Sequence, residues 1–237
     1  MPTALVTGGN RGLGLALVRA LLARGDRVIA ACRHPGRATD LNRLTGEHPG
    51  HLHVLPLDVA DPKSQAELAR ELPLVLGTQD EAPGRIDLLV NNAGVLHSGE
   101  RFGKVEARNL EDSFRTNALG PFLLTQALAP LLADHAKVAN LSSQLGSIAT
   151  VNRFGTPSYN ISKAAQNMAT GLLAQALAER GIVVLALHPG WVQTEMGGKD
   201  ATVAAEDAAE GLLRVIDGTG HDDSGRFLDF RGGTLPW

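Results

Sequence analysis

The sequence predicts an α/β protein built on a doubly wound, parallel sheet of seven strands with helices on both faces. Short apolar runs alternate with longer helical patterns along the chain, the runs are apolar towards both faces, and a glycine-rich turn joins the first run to the first helix. The strands are read at Ala4–Val6, Arg27–Cys32, Leu52–Leu57, Ile86–Asn91, Lys137–Leu141, Ile182–Leu187 and Phe227–Phe230. Between them the spacing predicts helices over Leu13–Arg24, Lys63–Leu76, a long segment from about Leu110 to Ala133, Pro157–Arg180 and Ala204–Ile216. Asp61-Pro62 and Thr156-Pro157 read as helix entries, because proline suits the first helical position. Right-handed crossovers put helices on both sides of such a sheet, so its strands should read as nearly continuous apolar runs. Leu185-Ala186-Leu187 does, and in Ile86–Asn91 only Asp87 interrupts the run before its polar end.

No internal repeat, low-complexity tract or Pro/Gly/Ser-rich linker divides the 237 residues, so 1–237 are expected to form one domain, with Gln79–Gly84 and Gly218–Gly225 as surface loops. A hydrophobic share of 43% suits a packed core, and a net charge of −3 with nine aromatics offers neither a phosphate-backbone footprint nor stacking surfaces. Nucleic acid is excluded as a partner on that ground. The uncharged stretch Thr116–Ala133 contains Asn117, Gly120, Pro121 and Pro130, which argues for a buried helix and against a membrane span. That stretch and Ala164–Ala178 are poor in charge and need cover on most faces, which points to a homodimer or homotetramer. The single cysteine, Cys32, allows no internal disulfide, Met1-Pro2-Thr3-Ala4 lacks the regions of a signal peptide, and a cytoplasmic location is expected. No metal site is read.

The first chemical signal is Thr7-Gly8-Gly9-Asn10-Arg11-Gly12-Leu13-Gly14, between the first strand and an apolar helix. Gly8 suits a tight turn, Gly12 lets backbone approach a pyrophosphate, Gly14 allows close packing, and the free N–H groups of the helix start attract an anion. A flexible turn is the bland alternative, and the strand before and helix after favour nucleotide binding. At the end of the second strand, where an acid would bind the adenosine ribose, stands Arg33, with Arg11 in the glycine loop. Two guanidinium groups suit a 2′-phosphate, which favours NADPH/NADP over NADH, unless Arg33 and Arg37 are merely solvated charges. The second signal is Tyr159-Asn160-Ile161-Ser162-Lys163, which sets the chain's only tyrosine and a lysine four apart on one helix face. A phenol is a poor proton donor or acceptor near neutrality unless a cation favours its phenolate, and Lys163 is that cation.

Further segments fall at strand ends in order: Leu57-Asp58-Val59, Asn91-Asn92-Ala93-Gly94, Arg115-Thr116-Asn117-Ala118 in the long helix, Asn140-Leu141-Ser142-Ser143, and His188-Pro189-Gly190-Trp191-Val192-Gln193-Thr194. Singly, each has a structural reading: a cap or turn at Asp58, a strand-ending turn at Asn91–Gly94 and at Ser142-Ser143, a satisfied core amide at Asn117. Together with the T-G-x-x-x-G-x-G loop, they resemble the short-chain dehydrogenase/reductase family over nearly the whole chain. The resemblance implies a single Rossmann-type domain and a catalytic set of Asn117, Ser143, Tyr159 and Lys163. In it Ser143 orients the substrate oxygen, Tyr159 exchanges the proton, Lys163 assists, and Asn117 holds a water linking Lys163 to solvent. It implies that the adenine end rests on Asp58 and Val59 and that Asn91, Ala93 and Gly94 line the cofactor cleft. Pro189, Gly190, Val192 and Thr194 would hold the nicotinamide end. Ser142–Ile148, His188–Val192 and Trp237 are similar to the small carbonyl reductases of the sniffer and C-factor type.

The function expected is NADPH-dependent, reversible reduction of a small aldehyde or ketone to its alcohol. The alternatives are an NAD-dependent alcohol or polyol dehydrogenase and a non-catalytic nucleotide-binding redox sensor. Ser143 and Tyr159 are sixteen positions apart, and the extra residues are placed in Gly146–Gly155, beside the substrate. His188 reads as structural, and Gly197-Gly198 with Lys199–Ala205 as a mobile substrate lid.

Overall fold

Alternate residues of the first strand, β1 (Thr3–Thr7), face opposite ways, and both sets are buried, so the strand needs cover from two layers. A computed structural model describing residues 1–79 and 82–237 shows how the chain supplies it. β1 is followed by α1 (Gly12–Ala23), β2 (Arg27–Cys32), α2 (Thr39–Glu47), β3 (Leu52–Pro56), α3 (Pro62–Leu76) and a small antiparallel pair, β4 (Thr78–Gln79) and β5 (Ala82–Pro83). Next come β6 (Ile86–Asn91), α4 (Ala107–Phe114), a π-helical turn at Arg115–Leu119, α5 (Gly120–Leu128), β7 (Leu132–Leu141) and α6 (Pro157–Ala176). The chain ends with β8 (Val183–His188), α7 (Ala205–Gly218) and β9 (Phe227–Asp229).

Seven strands form one sheet in the order β3-β2-β1-β6-β7-β8-β9, and every neighbouring pair is parallel. On one face Ala4, Val6, Val28, Ala30, Leu185 and Leu187 pack against Leu17 and Leu21 of α1, Leu41 of α2 and Leu212 of α7. On the other, Leu5, Ile29, Val138 and Val184 pack against Leu72 of α3, Leu124 and Leu128 of α5 and Leu173 of α6. This is the doubly wound architecture expected. Asp87, exposed in an otherwise buried strand, has a local reason: its carboxylate accepts the N–H of Thr3 at 2.7 Å and ties the start of β1 to β6. The strand order reverses at β1, whose other neighbour, β6, comes from later in the chain. In open α/β sheets the crevice outside the strand ends at such a reversal is where ligands bind.

Three elements differ from expectation. The segment read as one helix from about Leu110 to Ala133 is α4, the π turn and α5 in series, closed by a 3-10 turn at Ala129–Leu131. The strand after it starts at Leu132, not Lys137, and His135 (φ 64) breaks its register with β6 between Ile86 and Leu88. Helix α2 was not expected, because only Leu41 and Leu44 of its nine residues are buried. Of the loop expected at Gln79–Gly84, Asp80 and Glu81 lie outside the described residues, and the flanking residues pair as β4 and β5. Gly218–Gly225 is a connection containing a 3-10 turn at His221–Asp223. Among the described residues, no helix is long and apolar enough to cross a membrane.

Candidate active site

The glycine loop sits at the reversal point. The N–H groups of Gly8 and Gly9 donate to Ala31 O at 2.8 and 3.3 Å, curling the turn over the end of β2. Gly8 (φ 65) and Gly12 (φ 53) occupy the left-handed region, which disfavours side chains. Gly14 is demanded by space: a Cβ there would lie 2.2 Å from Gly8 O and 2.6 Å from Asn92 Nδ2. Thr7 Oγ1 accepts the N–H groups of Asn92 and Ala93, both at 3.0 Å, and Asn92 Nδ2 donates to Thr7 O at 2.8 Å. Loop and β6 end therefore form one unit. Asn92, which ties the end of β6 to the glycine loop, was passed over in the sequence in favour of its neighbour, although the Asn-Asn pair contained the signal. The Asn91 side chain points away from the cleft, into a buried ladder: its Nδ2 donates to Asn140 Oδ1 at 2.8 Å and Thr125 Oγ1 at 3.1 Å, and Asn140 Nδ2 to Thr170 Oγ1 at 2.9 Å.

The loop fits a diphosphate. Helix α1 starts without a side-chain cap or an acid in its first turn, and among the described residues no acceptor takes the N–H of Asn10, Arg11, Gly12, Leu13 or Gly14. A Cβ on Gly12 would stand 3.2 Å from Thr194 Cγ2, filling the gap between the loop and the segment after β8. Arg33 is exposed, with no ion pair among the described residues, whereas Arg11 reaches across that gap to Glu195. Asp58 closes a turn at the end of β3, with Oδ1 accepting Ala60 N–H at 2.9 Å, and the adjacent Val59 is buried with its carbonyl taken by Gln65 Nε2 at 2.7 Å.

Strand β7 delivers the serines and α6 the tyrosine and lysine. Ser142 is buried and its hydroxyl is paired with Asn167 Oδ1 at 2.5 Å, whereas Ser143 Oγ accepts Leu145 N–H at 3.1 Å and meets the Tyr159 phenol. The two serines thus have different tasks. Burial pushes the phenol up to about 12, and the Ser143 hydroxyl works against that rise. Burial lowers Lys163 to about 7. Its Nζ lies 5.6 Å from the centre of the Tyr159 ring and donates to Leu141 O at 2.5 Å and to Gln166 Oε1 at 2.9 Å. Gln166 was not foreseen; it stands three positions after Lys163 on the same helix face, a spacing that could have found it.

Asn117 occupies the π turn, a widening of the helix often found at functional sites. Its Oδ1 accepts Val95 N–H at 2.8 Å, and its Nδ2 donates to Val95 O and Ser162 Oγ, both at 2.9 Å. The amide therefore joins the loop after β6 to α6, and it does not bond Lys163 directly. The two are nonetheless close, since a Cβ on Gly94 would lie 3.2 Å from Asn117 Oδ1 and 4.0 Å from Lys163 Nζ.

Beyond β8, Pro189 leads into Gly190 (φ 84), which is packed under the Phe230 ring. Val192 is buried and bridges Val203, while Thr194 Oγ1 accepts Gly197 N–H at 3.1 Å. The segment expected as a mobile lid is heavily bonded: Gln193 N–H to Val203 O at 2.8 Å, Thr202 and Val203 N–H to Trp191 O at 3.0 Å, and Trp191 Nε1–H to Gly197 O at 2.8 Å. At Gly197 a Cβ would meet Val192 O at 2.0 Å, so the close approach there requires glycine, whereas Gly198 (φ 77) stands in open space. Gln193, Thr194, Glu195, Gly198 and Lys199 line a depression of about 440 Å³ beside this segment.

The glycine loop, Ser143, Tyr159, Lys163, Asn117 and the Pro189–Thr194 turn converge on the ends of β1, β6, β7 and β8, and the fold that places them there is shared with known proteins. The chain is 45% identical over 156 residues to the C-signal protein of Myxococcus xanthus, covering 65% of this chain and 94% of that one. It is 35% identical to the NADPH-bound carbonyl reductase from chicken fatty liver, with a TM-score of 0.92 over 100% of this chain and 99% of that one. Against the carbonyl reductase Sniffer of D. melanogaster the values are 32% and 0.93, with both chains covered completely. The short chain dehydrogenase family pattern matches residues 2–204. The chain belongs to the short-chain dehydrogenase family of NAD(P)-dependent oxidoreductases.

Proposed function

We propose that residues 1–237 act as one nucleotide-binding unit that uses NADPH to reduce a small aldehyde or ketone to its alcohol, reversibly. The observation that carries this reading is the buried pair of Tyr159 and Lys163 beside Ser143, facing a glycine loop with unclaimed N–H donors. Asn10–Gly14 would hold the diphosphate, Asp58 and Val59 the adenine end, Ala93 and Gly94 the cleft wall, and Pro189, Gly190, Val192 and Thr194 the nicotinamide end. Arg33, and Arg11 once released from Glu195, would meet a 2′-phosphate. When bound, the nicotinamide supplies the hydride that reaches the carbonyl carbon. The proton is the task of this chain: Tyr159 gives its phenolic proton to the carbonyl oxygen, and Ser143 donates a hydrogen bond to the same oxygen as charge develops. Lys163, as the ammonium, lowers the cost of the phenolate left behind. Asn117 fixes the wall through Val95 and the helix through Ser162, and connects Lys163 to solvent through water. In the oxidation direction each proton moves back.

The unbonded Arg33 at the end of β2 supports NADPH against an NAD-dependent alcohol or polyol dehydrogenase. A buried, fully assembled Tyr159–Lys163 pair supports an enzyme against a redox sensor, which has no need of it. Ile161, Met168 and Leu172 are exposed along α6 and Phe114 and Leu119 lie near it, which supports a homodimer or homotetramer, and the free, buried Cys32 suits a reducing cytoplasm. The test is the decay of nicotinamide absorbance with NADPH or NADH against a panel of aldehydes, ketones and quinones. Turnover is expected with NADPH, and Tyr159→Phe is expected to lower it by a factor of about 10³ or more while cofactor binding survives. Tight NADPH binding with no turnover on any carbonyl would move the sensor reading to first place.

A further inference from the structure

Helix α6, which carries Tyr159 and Lys163, begins badly by its own means. Its N-cap, Thr156, lies in the left-handed region (φ 40, ψ 53), makes no side-chain cap, and no acid follows in the first turn. A β-branched residue in that conformation persists only where its surroundings enforce it. The first free donors of such a helix need partners, and here the partner comes from elsewhere in the chain. Glu100, in the loop between β6 and α4, accepts from both the Oγ–H of Ser158, at 2.7 Å, and its N–H, at 3.2 Å, with the same oxygen, Oε2. Ser158 is 1% exposed and immediately precedes Tyr159. Just outside this contact Phe102 meets Phe154 edge to face, with ring centroids 5.7 Å apart at 89°, so the loop after β6 is fastened to the approach of α6 twice.

We propose that Glu100 is a positioning residue for the proton donor: its carboxylate supplies the missing cap of α6 and, through Ser158, sets the depth of the Tyr159 phenol against Ser143. The inference rests on the reading of Tyr159 as the acid. The loop that Glu100 fastens also includes Val95, held by Asn117, so one wall of the site is pinned at two points to the elements that carry the catalytic set. The other carboxylate oxygen of Glu100, Oε1, is buried without a partner among the described residues.

Because Tyr159 is the only tyrosine, its ionisation is read directly from tyrosinate absorbance in a rapid alkaline pH jump, without any substrate. In Glu100→Ala the phenol is expected to become better hydrated and to titrate about one unit lower than in the wild type, towards the ordinary phenol value of about 10. With NADPH and the best carbonyl of the panel, its kcat is expected to fall about tenfold, while the dissociation constant of NADPH stays within about twofold. Glu100→Gln keeps an acceptor oxygen for Ser158 and should restore both readouts. Unchanged titration and kcat in Glu100→Ala would overturn the proposal, and so would a Gln variant that falls as far as Ala. If Glu100→Ala does not fold, Ser158→Ala, which removes only the hydroxyl donor, should shift both readouts in the same direction by a smaller amount; no shift overturns it. Retained turnover in Tyr159→Phe would instead overturn the catalytic reading, and the tyrosinate comparison would still stand on its own.

Discussion

The proposed choice of cofactor rests on one side chain, Arg33. It follows directly on β2, whose last residue, Cys32, is buried, so its position is set by the strand while its guanidinium is exposed and unpaired among the described residues. Arg11, the other candidate for a phosphate, is already engaged by Glu195. Arg33→Asp replaces a forked donor with an acceptor for ribose hydroxyls and adds a repulsive charge where a 2′-phosphate would sit. The ratio of kcat/KM for NADPH to that for NADH is expected to fall at least about a hundredfold, about 3 kcal/mol. An unchanged ratio would remove the phosphate from this site. The closeness of Tyr159 and Lys163 was legible from a helical four-step, whereas Ser143 was reached only through the family resemblance, as the second serine of the pair that ends a strand. Glu100, Asn92 and the pairing of Arg11 with Glu195 were not legible, since their partners stand 58, 85 and 184 positions away. That the Asn91 side chain turns into the buried ladder was hidden for a related reason, because the direction of each of two adjacent asparagines depends on where β6 stops alternating.

At the scale of elements, the site depends on how closely the turn after β7 approaches α6. Gly146 makes that approach possible: a Cβ there would lie 2.7 Å from the carbonyl carbon and 2.8 Å from the Cβ of Lys163, and 3.0 Å from Ala164 N. The obstacle is helix backbone, which cannot yield as a flexible side chain can. Gly146→Ala should push the Gln144–Gly146 turn off the helix, carry Ser143 away from Tyr159, and destabilise the fold by about 1–3 kcal/mol. Turnover should fall with NADPH binding retained. Gly155 provides the contrast, since nothing lies within 4 Å of its added Cβ, and Gly155→Ala should leave turnover and the urea midpoint nearly unchanged. Equal effects from the two substitutions would show that the turn yields and the close approach is not needed. The alternation of strand and helix that dictates this packing was plain in the sequence, whereas two boundaries were hidden. Leu131-Leu132-Ala133 reads equally well as the end of a helix or the start of a buried strand, and only Pro130 and pairing with Ile86 decide for the strand. The π turn around Asn117 is set by packing of α4 and α6 around it and leaves no periodic trace.

For the whole molecule, two buried basic side chains, His188 and Lys163, tie stability to pH. His188, the last residue of β8, has its Nδ1 buried without a partner among the described residues. Burial lowers it to about 4, and the carboxylate of Asp229, its register partner on β9, opposes that fall only in part. Lys163 is displaced in the same direction, to about 7, by burial. For a group lowered on folding, the unfolded chain binds the proton first, so stability rises with pH between the folded and the unfolded value. Lys163 therefore adds stability as pH climbs from about 7 towards its ordinary 10.5, and His188 withdraws it as pH falls from 6.5 towards about 4. The His188 span corresponds to at most about 3 kcal/mol, enough to dominate the acid limb of a protein whose total stability is about 5–15 kcal/mol. His188→Asn removes the titration while keeping a polar side chain of similar reach. Urea unfolding at pH 7.0, 5.5 and 4.5 should give a wild-type midpoint that drops across the series and a variant midpoint that drops less, the two differing most at the lowest pH. Parallel slopes in the two proteins would mean that His188 takes up its proton without unfolding. The acid limb would then have to come from groups other than His188.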